Sequence, residues 1–274
     1  MAPTSAMILI GNELLNGTVR DLNLYRMGRQ LTRLGFTVGP AMVVRDEPER
    51  IIDALRYIWA RSPSVVLCSG GLGPTEDDLT LAAIAEALDR PLALNPEAQT
   101  MVEQHYDRLL DQGLLENRGP EAARAKMATL PEGATPLANP VGTAPGIRLT
   151  HEDVHLYVLP GVPKELEAMF AEGVLPDLRS HFTLNRWAER ALIVHCEDEA
   201  DIAEPLRGVV RRHPDVYVKS LAKPFPAASR EGLRVIVATS AATRDAAQRA
   251  VEETFSDLRG TLEDAGLEVT LPET

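Results

Sequence analysis

The chain has 274 residues, 45% hydrophobic and 25% charged, which is enough to bury a full core and to form one large domain plus a smaller one. Its 28 Lys and Arg against 40 Asp and Glu give a formal charge of -12, so a nucleic-acid backbone or an anionic membrane would repel it rather than release counterions. A phosphorylated small molecule is compatible with that balance only where Arg, Lys, a helix N-terminus or a metal offsets its charge locally.

The opening segment MAPTSAMILIGNE lacks the basic stretch of a secretory leader. No apolar run approaches the roughly 18 residues of a membrane span, so a cytoplasmic protein is expected. Met7 to Ile10 reads as a strand, Leu22 to Leu34 as a helix ended by Gly35, and Phe36 to Val44 as a second strand, together a βαβ unit. A helix over Pro48 to Arg61, with Ile51, Ile52, Leu55, Ile58 and Trp59 on one face, leads to a buried strand at Val65. Strands alternating with helices at this spacing predict a parallel sheet with right-handed crossovers, whose ligands gather beyond the carboxyl ends of the strands.

Helices are then predicted over Leu79 to Leu88 and Pro96 to Gln112, the second capped by Asn95, and over Glu121 to Ala128. The Pro- and Gly-containing stretch from there to Gly146 reads as ordered loop. His155 to Leu159 is a strand that enters a helix over Lys164 to Phe170 through PGVP. From about Trp187 the order is strand, helix (Asp198 to His213), strand (Asp215 to Leu221), strand (Leu233 to Thr239) and helix (Arg244 to Leu262), with Lys223 to Glu231 a polar connection. That order predicts a small α+β domain, and a boundary between Pro176 and Trp187 divides the chain into 1–180 and 181–274.

Chemistry concentrates in Val65 to Thr80, VVLCSGGLGPTEDDLT. Gly70, Gly71 and Gly73 leave a turn without side chains where backbone N–H groups can approach an anion. Asp77 and Asp78 follow, and Glu13 and Asp46 with Glu47 stand at two other strand ends. Clustered carboxylate oxygens suit a Mg²⁺-like ion bridging protein and phosphate. The same residues also read as a Thr75 cap for a helix starting near Asp77, and as acids at the helix opening with Pro48. Gly142 to Gly146 is a second backbone-rich loop or a tight turn. Asn139 could bond a base or ribose or simply open that turn, Gly161 could clear space for a ligand, and Glu165 could sit on a cation or cap its helix.

Cys68 and Cys196 sit at no metal or redox spacing and read as inert core thiols. There is no lysine after the glycines in the Walker position, no GxGxxG after the first strand and no HExxH. The GGLG run lies in the large domain and 187–274 contains no GxxG, which disfavours RNA binding. Arg211, Arg212, Lys219 and Lys223 read as scattered surface charge.

Four ordered strings, IGNELLNGTVRDLN, SGGLGPTEDDLT, LPEGATPLANPVGTAPG and LPGVPKELEAMF, resemble the CinA family of competence/damage-inducible proteins. The resemblance implies a three-layer α/β/α domain with a mostly parallel sheet, of the molybdopterin-binding (MoaB/MogA-like) type, and then a small KH-like α+β domain. It also implies a metal-dependent pyrophosphatase acting on ADP-ribose and similar nucleotides, using Mg, Mn, Co or Ni with or without K, as a homodimer. Asp78 and Asp46 match the two acidic positions that molybdopterin-handling relatives use in catalysis, whereas Asn12 departs from the threonine common in bacterial members. The nicotinamide mononucleotide deamidase domain of longer members is not expected.

The site expected on these grounds has Asp46 and Asp78 as catalytic groups and Glu13, Asp77 and Asp78 around a metal. Gly70, Gly71, Gly73, Thr75, Asn139, Gly142, Thr143 and Gly161 would contact the substrate, with Asp21 a weaker metal or ribose candidate. Two other readings use the same scaffold: a pterin or molybdopterin phosphate held without hydrolysis, and a regulatory module without catalysis.

Overall fold

The computed structural model describes residues 2–221 and 232–272. Strand β1 (Thr4–Ile10) is buried along nearly its whole length, because it is paired on both edges and covered on both faces. A single turn, α1 (Asn12–Leu15), precedes α2 (Asn23–Arg33), which buries Met27 and Leu31 one helical turn apart. β2 (Thr37–Val44), α3 (Pro48–Trp59) and β3 (Val65–Ser69) complete the first parallel units, with Pro48 in the first turn of its helix where a missing N–H costs nothing.

The chain continues through α4 (Thr80–Ala87), β4 (Leu92–Leu94), α5 (Pro96–Asp111) and α6 (Glu121–Met127). β5 (Thr129–Pro131), β6 (Thr135–Leu137), β7 (Gly146–His151), β8 (Val154–Leu159) and α7 (Pro163–Met169) follow. A π-helical turn at Phe170–Val174 joins α7 to α8 (Leu175–His181).

The six-stranded sheet has the order β2-β1-β3-β8-β7-β6. β2, β1, β3 and β8 are parallel neighbours, and β7 and β6 are added antiparallel at one edge. Alternation along β1 sends Ala6, Ile8 and Ile10 into one core with Ile51, Leu55, Ile84 and Val102, while Met7 faces α2, whose Gly28 lies against its methyl group. The expected mixed α/β architecture with a mostly parallel central sheet is therefore present.

Several boundaries differ from the sequence reading. The expected loop before Gly146 contains β5 and β6, and β7 follows it; Pro136 hid β6, since an edge strand tolerates a missing N–H that a central one does not. The helix after PGVP does not stop at Phe170 but runs on to His181. Pro176 has no N–H to return to the preceding turn, and the chain widens into the π turn just ahead of it. Asp77 and Asp78 are not in a helix; α4 begins at Thr80 and both acids occupy the turn before it.

Contacts divide the chain into two units, one of 1–32 with 36–183 and the other of 33–35 with 184–274. In the second, β9 (Arg186–His195), α9 (Ala200–Arg212), β10 (Tyr217–Leu221), β11 (Leu233–Ala241), α10 (Arg244–Asp264) and β12 (Glu268–Thr270) form an antiparallel sheet of order β10-β11-β9-β12 and two helices. Ile202, Val209, Val251, Phe255 and Leu258 from the helices pack on Leu192, Val194, Val235 and Val237 from the sheet. Arg212 is no free surface charge, since its guanidinium pairs with Asp257 at 2.9 and 3.0 Å. The connection Lys223 to Glu231 lies outside the described residues. Among the described residues no helix is long and apolar enough to cross a membrane.

Candidate active site

Because β1, β2, β3 and β8 are parallel, the segments that leave them emerge at one edge of the sheet: Gly11 to Glu13, Arg45 to Glu47, Gly70 to Asp78 and Pro160 to Glu165. A cavity of about 590 Å³ opens there. Glu13, Asp46, Asp77, Asp78 and Glu165 line it, as do Gly70, Gly71, Gly73, Thr143 and Gly161.

The glycine turn is built on the buried Thr80. Its hydroxyl donates to the Gly70 carbonyl at 2.8 Å, and a Cβ on Gly71 would strike that same hydroxyl. Gly70 and Gly71 have φ of 111° and 67°, a region that excludes most side chains. The Gly70 N–H is committed to the Leu159 carbonyl at 3.0 Å and is not free for a ligand. The N–H groups of Gly71, Leu72 and Gly73 have no acceptor among the described residues. Consecutive unpaired amides are the backbone feature that an anion cradle requires.

The acidic turn is held by Thr75. Asp78 Oδ2 accepts from the Thr75 N–H at 2.9 Å and from its hydroxyl at 2.7 Å, and the hydroxyl also touches Asp77 Oδ1. The Lys126 ammonium donates to the Thr75 carbonyl. That hydroxyl, with Lys126 nearby, holds the Asp77 carboxyl below the usual carboxylate range. Asp46 behaves oppositely: burial pushes its pKa up, the charges of Glu13 and Asp77 add to the rise, and the 2.7 Å hydrogen bond from the Asn12 N–H opposes it. A half-buried carboxylate among like charges is a stronger base than one in water.

Some expected residues do other tasks. Thr75 does not line the cavity and instead shapes the turn through its bonds to Asp77 and Asp78. Asn139 is buried and spends its amide on its own loop and on Glu165, so it does not reach a ligand, and Gly142 packs on the Glu165 carboxyl group. Asp21 caps α2, accepting from the N–H groups of Asn23 at 3.0 Å and Leu24 at 3.1 Å, which removes it from the metal and ribose candidates.

The structure also reveals residues that the sequence reading passed over. Asn23 Nδ2 donates to Ser69 Oγ at 2.9 Å and to the Gly161 carbonyl at 2.7 Å, while Ser69 Oγ donates to the Pro160 carbonyl at 3.0 Å. These bonds tie the PGVP turn to the glycine turn. Among the described residues no three His, Cys, Asp or Glu side chains are grouped to hold a metal ion. Any cation here must draw on water and substrate oxygens as well, which is how Mg²⁺-like ions are commonly held.

Residues 6–180 match the model of the family described as "Probable molybdopterin binding domain", and the chain belongs to that family. A protein of Pyrobaculum calidifontis is 40% identical over 258 residues, covering 93% of this chain and 94% of its own length. A Thermococcus kodakarensis protein is 38% identical over 219 residues, covering 80% and 85%. Among solved structures, CinA of Thermoplasma acidophilum, a protein described as of unknown function, is 33% identical with a TM-score of 0.56 and covers 66% of this chain and 98% of that one.

Proposed function

We propose that the protein is a metal-dependent hydrolase of nucleotide diphosphates of the ADP-ribose type. The observation that carries this reading is the run of unpaired amides at Gly71, Leu72 and Gly73 in the same cavity as Asp46, Asp77 and Asp78. The diphosphate rests on those amides. Hard carboxylate oxygens suit Mg²⁺, Mn²⁺, Co²⁺ or Ni²⁺; since no three acidic side chains among the described residues are grouped, at most two of Glu13, Asp77 and Asp78 would hold one ion, with water and substrate oxygens completing its shell. A bound divalent ion supplies charge neutralisation at a phosphoryl oxygen. Asp46 takes the proton of the attacking water, a role supported by its raised pKa. Water adds to one phosphorus, the bridging P–O bond breaks, and ADP-ribose gives AMP and ribose 5-phosphate.

The family match favours a second reading at least as well: a pterin or molybdopterin phosphate held on the same turn without hydrolysis. One experiment separates them. ADP-ribose and other nucleotide diphosphates are screened for turnover with Mg²⁺, Mn²⁺, Co²⁺ and Ni²⁺, with and without K⁺, and pterin binding is measured on the same preparation. Metal-dependent release of AMP supports hydrolysis, pterin binding without turnover supports the second reading, and neither result leaves a non-catalytic module.

A further inference from the structure

Glu165 is a cavity-lining carboxylate that hydrolysis of the diphosphate does not use. It stands in the first turn of α7, and its Oε2 accepts from Asn139 Nδ2 at 2.7 Å. No described residue donates to its Oε1. Asn139 is only 7% exposed and fully engaged: Nδ2 also donates to the Ala144 carbonyl at 2.9 Å, and Oδ1 accepts from the N–H groups of Val141 at 3.1 Å and Gly142 at 2.8 Å. An amide has two donor hydrogens and two acceptor sites, and all four are spent here. The buried amide therefore orients a carboxylate that does face the cavity. A Cβ on Gly142 would run into the Glu165 carboxyl group, so the loop closes directly on it.

The position of Glu165 matters as much as its orientation. Glu165 follows β8 and Asp46 follows β2, and in the order β2-β1-β3-β8 these strands are three spacings apart, roughly 14 Å. The glycine turn, after β3, lies between them. The like charges that act on Asp46 are Glu13 and Asp77, not Glu165. A diphosphate on the central turn would thus present one of its flanking groups to Glu165.

We propose that Glu165 is a specificity-determining residue whose Oε1 accepts a hydrogen bond from a hydroxyl of the ribose beside the diphosphate, with Asn139 as the positioning residue that aims it. Carboxylates are the usual acceptors for ribose hydroxyls, and their charge repels a further phosphate at that end. The inference rests on the nucleotide reading above.

The test compares kcat/KM for ADP-ribose with that for its analogue lacking the 2′-hydroxyl on both riboses, in wild type, Glu165→Gln and Glu165→Ala. A hydrogen bond to a charged group predicts a wild-type preference of about tenfold or more for the hydroxylated substrate, expressed mainly in KM. In Glu165→Gln the new carbonyl must face the Asn139 donor, leaving an uncharged NH₂ toward the cavity, and the preference falls to about threefold or less. In Glu165→Ala it disappears. Equal use of both substrates by the wild type, or a full preference retained in Glu165→Gln, overturns the proposal and leaves hydrolysis standing. If the wild type turns over neither substrate, the same ratio is read from calorimetric Kd values. Absence of ADP-ribose binding overturns both the inference and the nucleotide reading.

Discussion

Asp177 and Asp46 lie toward opposite ends of the same parallel sheet, and their surroundings differ in kind. Asp177, on α8, accepts from the Tyr157 hydroxyl at 2.6 Å and from Arg148, with His181 Nε2 3.7 Å away. Next to it is a cavity of about 300 Å³ lined also by His155, whose pKa burial and the neighbouring His181 push down. Asp46 accepts from the Asn12 N–H, has no described cationic partner, and has Glu13 and Asp77 as charged neighbours. The saturated acid fastens a helix to the sheet; Asp46, half-buried among like charges, faces a larger cavity and leaves electrostatic capacity for a ligand. Charge alone does not distinguish Asp177 from Asp46; internal compensation does.

The sharpest way to break this comparison is to change one acid at the unsaturated end. Asp78→Asn keeps an oxygen for the Thr75 N–H but loses a charge, so turnover should fall about a hundredfold or more with an unchanged melting temperature. Near-wild-type turnover in a folded variant would show that the acidic turn is as structural as Asp177. The saturated end should respond in the opposite currency. Asp177→Ala strands the buried Tyr157 hydroxyl and the Arg148 guanidinium, which should cost about 2–3 kcal/mol in chemical denaturation while kcat/KM changes less than about twofold. Loss of activity without loss of stability would reverse the roles of the two ends.

Gly71→Val tests the scaffold beneath the acids. A branched residue at φ 67° strains the backbone by ~1–2 kcal/mol and displaces the Thr80 hydroxyl, so melting temperature and nucleotide affinity should both drop. Unchanged affinity, measured by calorimetry on folded protein, would put the phosphate elsewhere.

The parallel sheet and the glycine turn were readable because periodicity and turn chemistry are local. The acids at three strand ends were readable as a group because parallel topology brings such ends together. What stayed hidden depends on distance in sequence. Nothing in the chain pairs Asn23 with Gly161, 138 residues away, or sets Lys126 against Thr75, 51 residues away. Asn139 illustrates a subtler limit: residue type marked a polar group beside the Gly142 to Gly146 loop, but only the hydrogen bonds show that it is fully engaged and only the cavity lining shows Glu165 there. Asp21 was misread for the converse reason, since a capping acid and a metal ligand look alike until the helix start at Asn23 is seen.

Asp46→Asn carries a small expected stability change but the most specific sign. The folded-state pKa of Asp46 is raised above its ordinary 3.8, so folding favours the protonated form. The stabilisation of that form is fully present below the unfolded value and is lost as pH rises through the folded one, leaving an ionised Asp46 as a net cost at neutral pH. An asparagine keeps the acceptor for the Asn12 N–H and removes the charge, so the variant should be equal to wild type or more stable, by about 1 kcal/mol or less, at pH 7. The difference should shrink as pH falls through the folded pKa of the wild-type acid. Wild-type turnover should decline over that same interval, above the ordinary carboxylate range, and the variant should have no such limb because its turnover is already lost. Denaturation midpoints at stepped pH, set beside the pH profile of kcat, read both effects from one pair of proteins. A variant destabilised at pH 7 would mean that Asp46 is held by favourable contacts, as Asp177 is, and the contrast between the two ends of the sheet would fail.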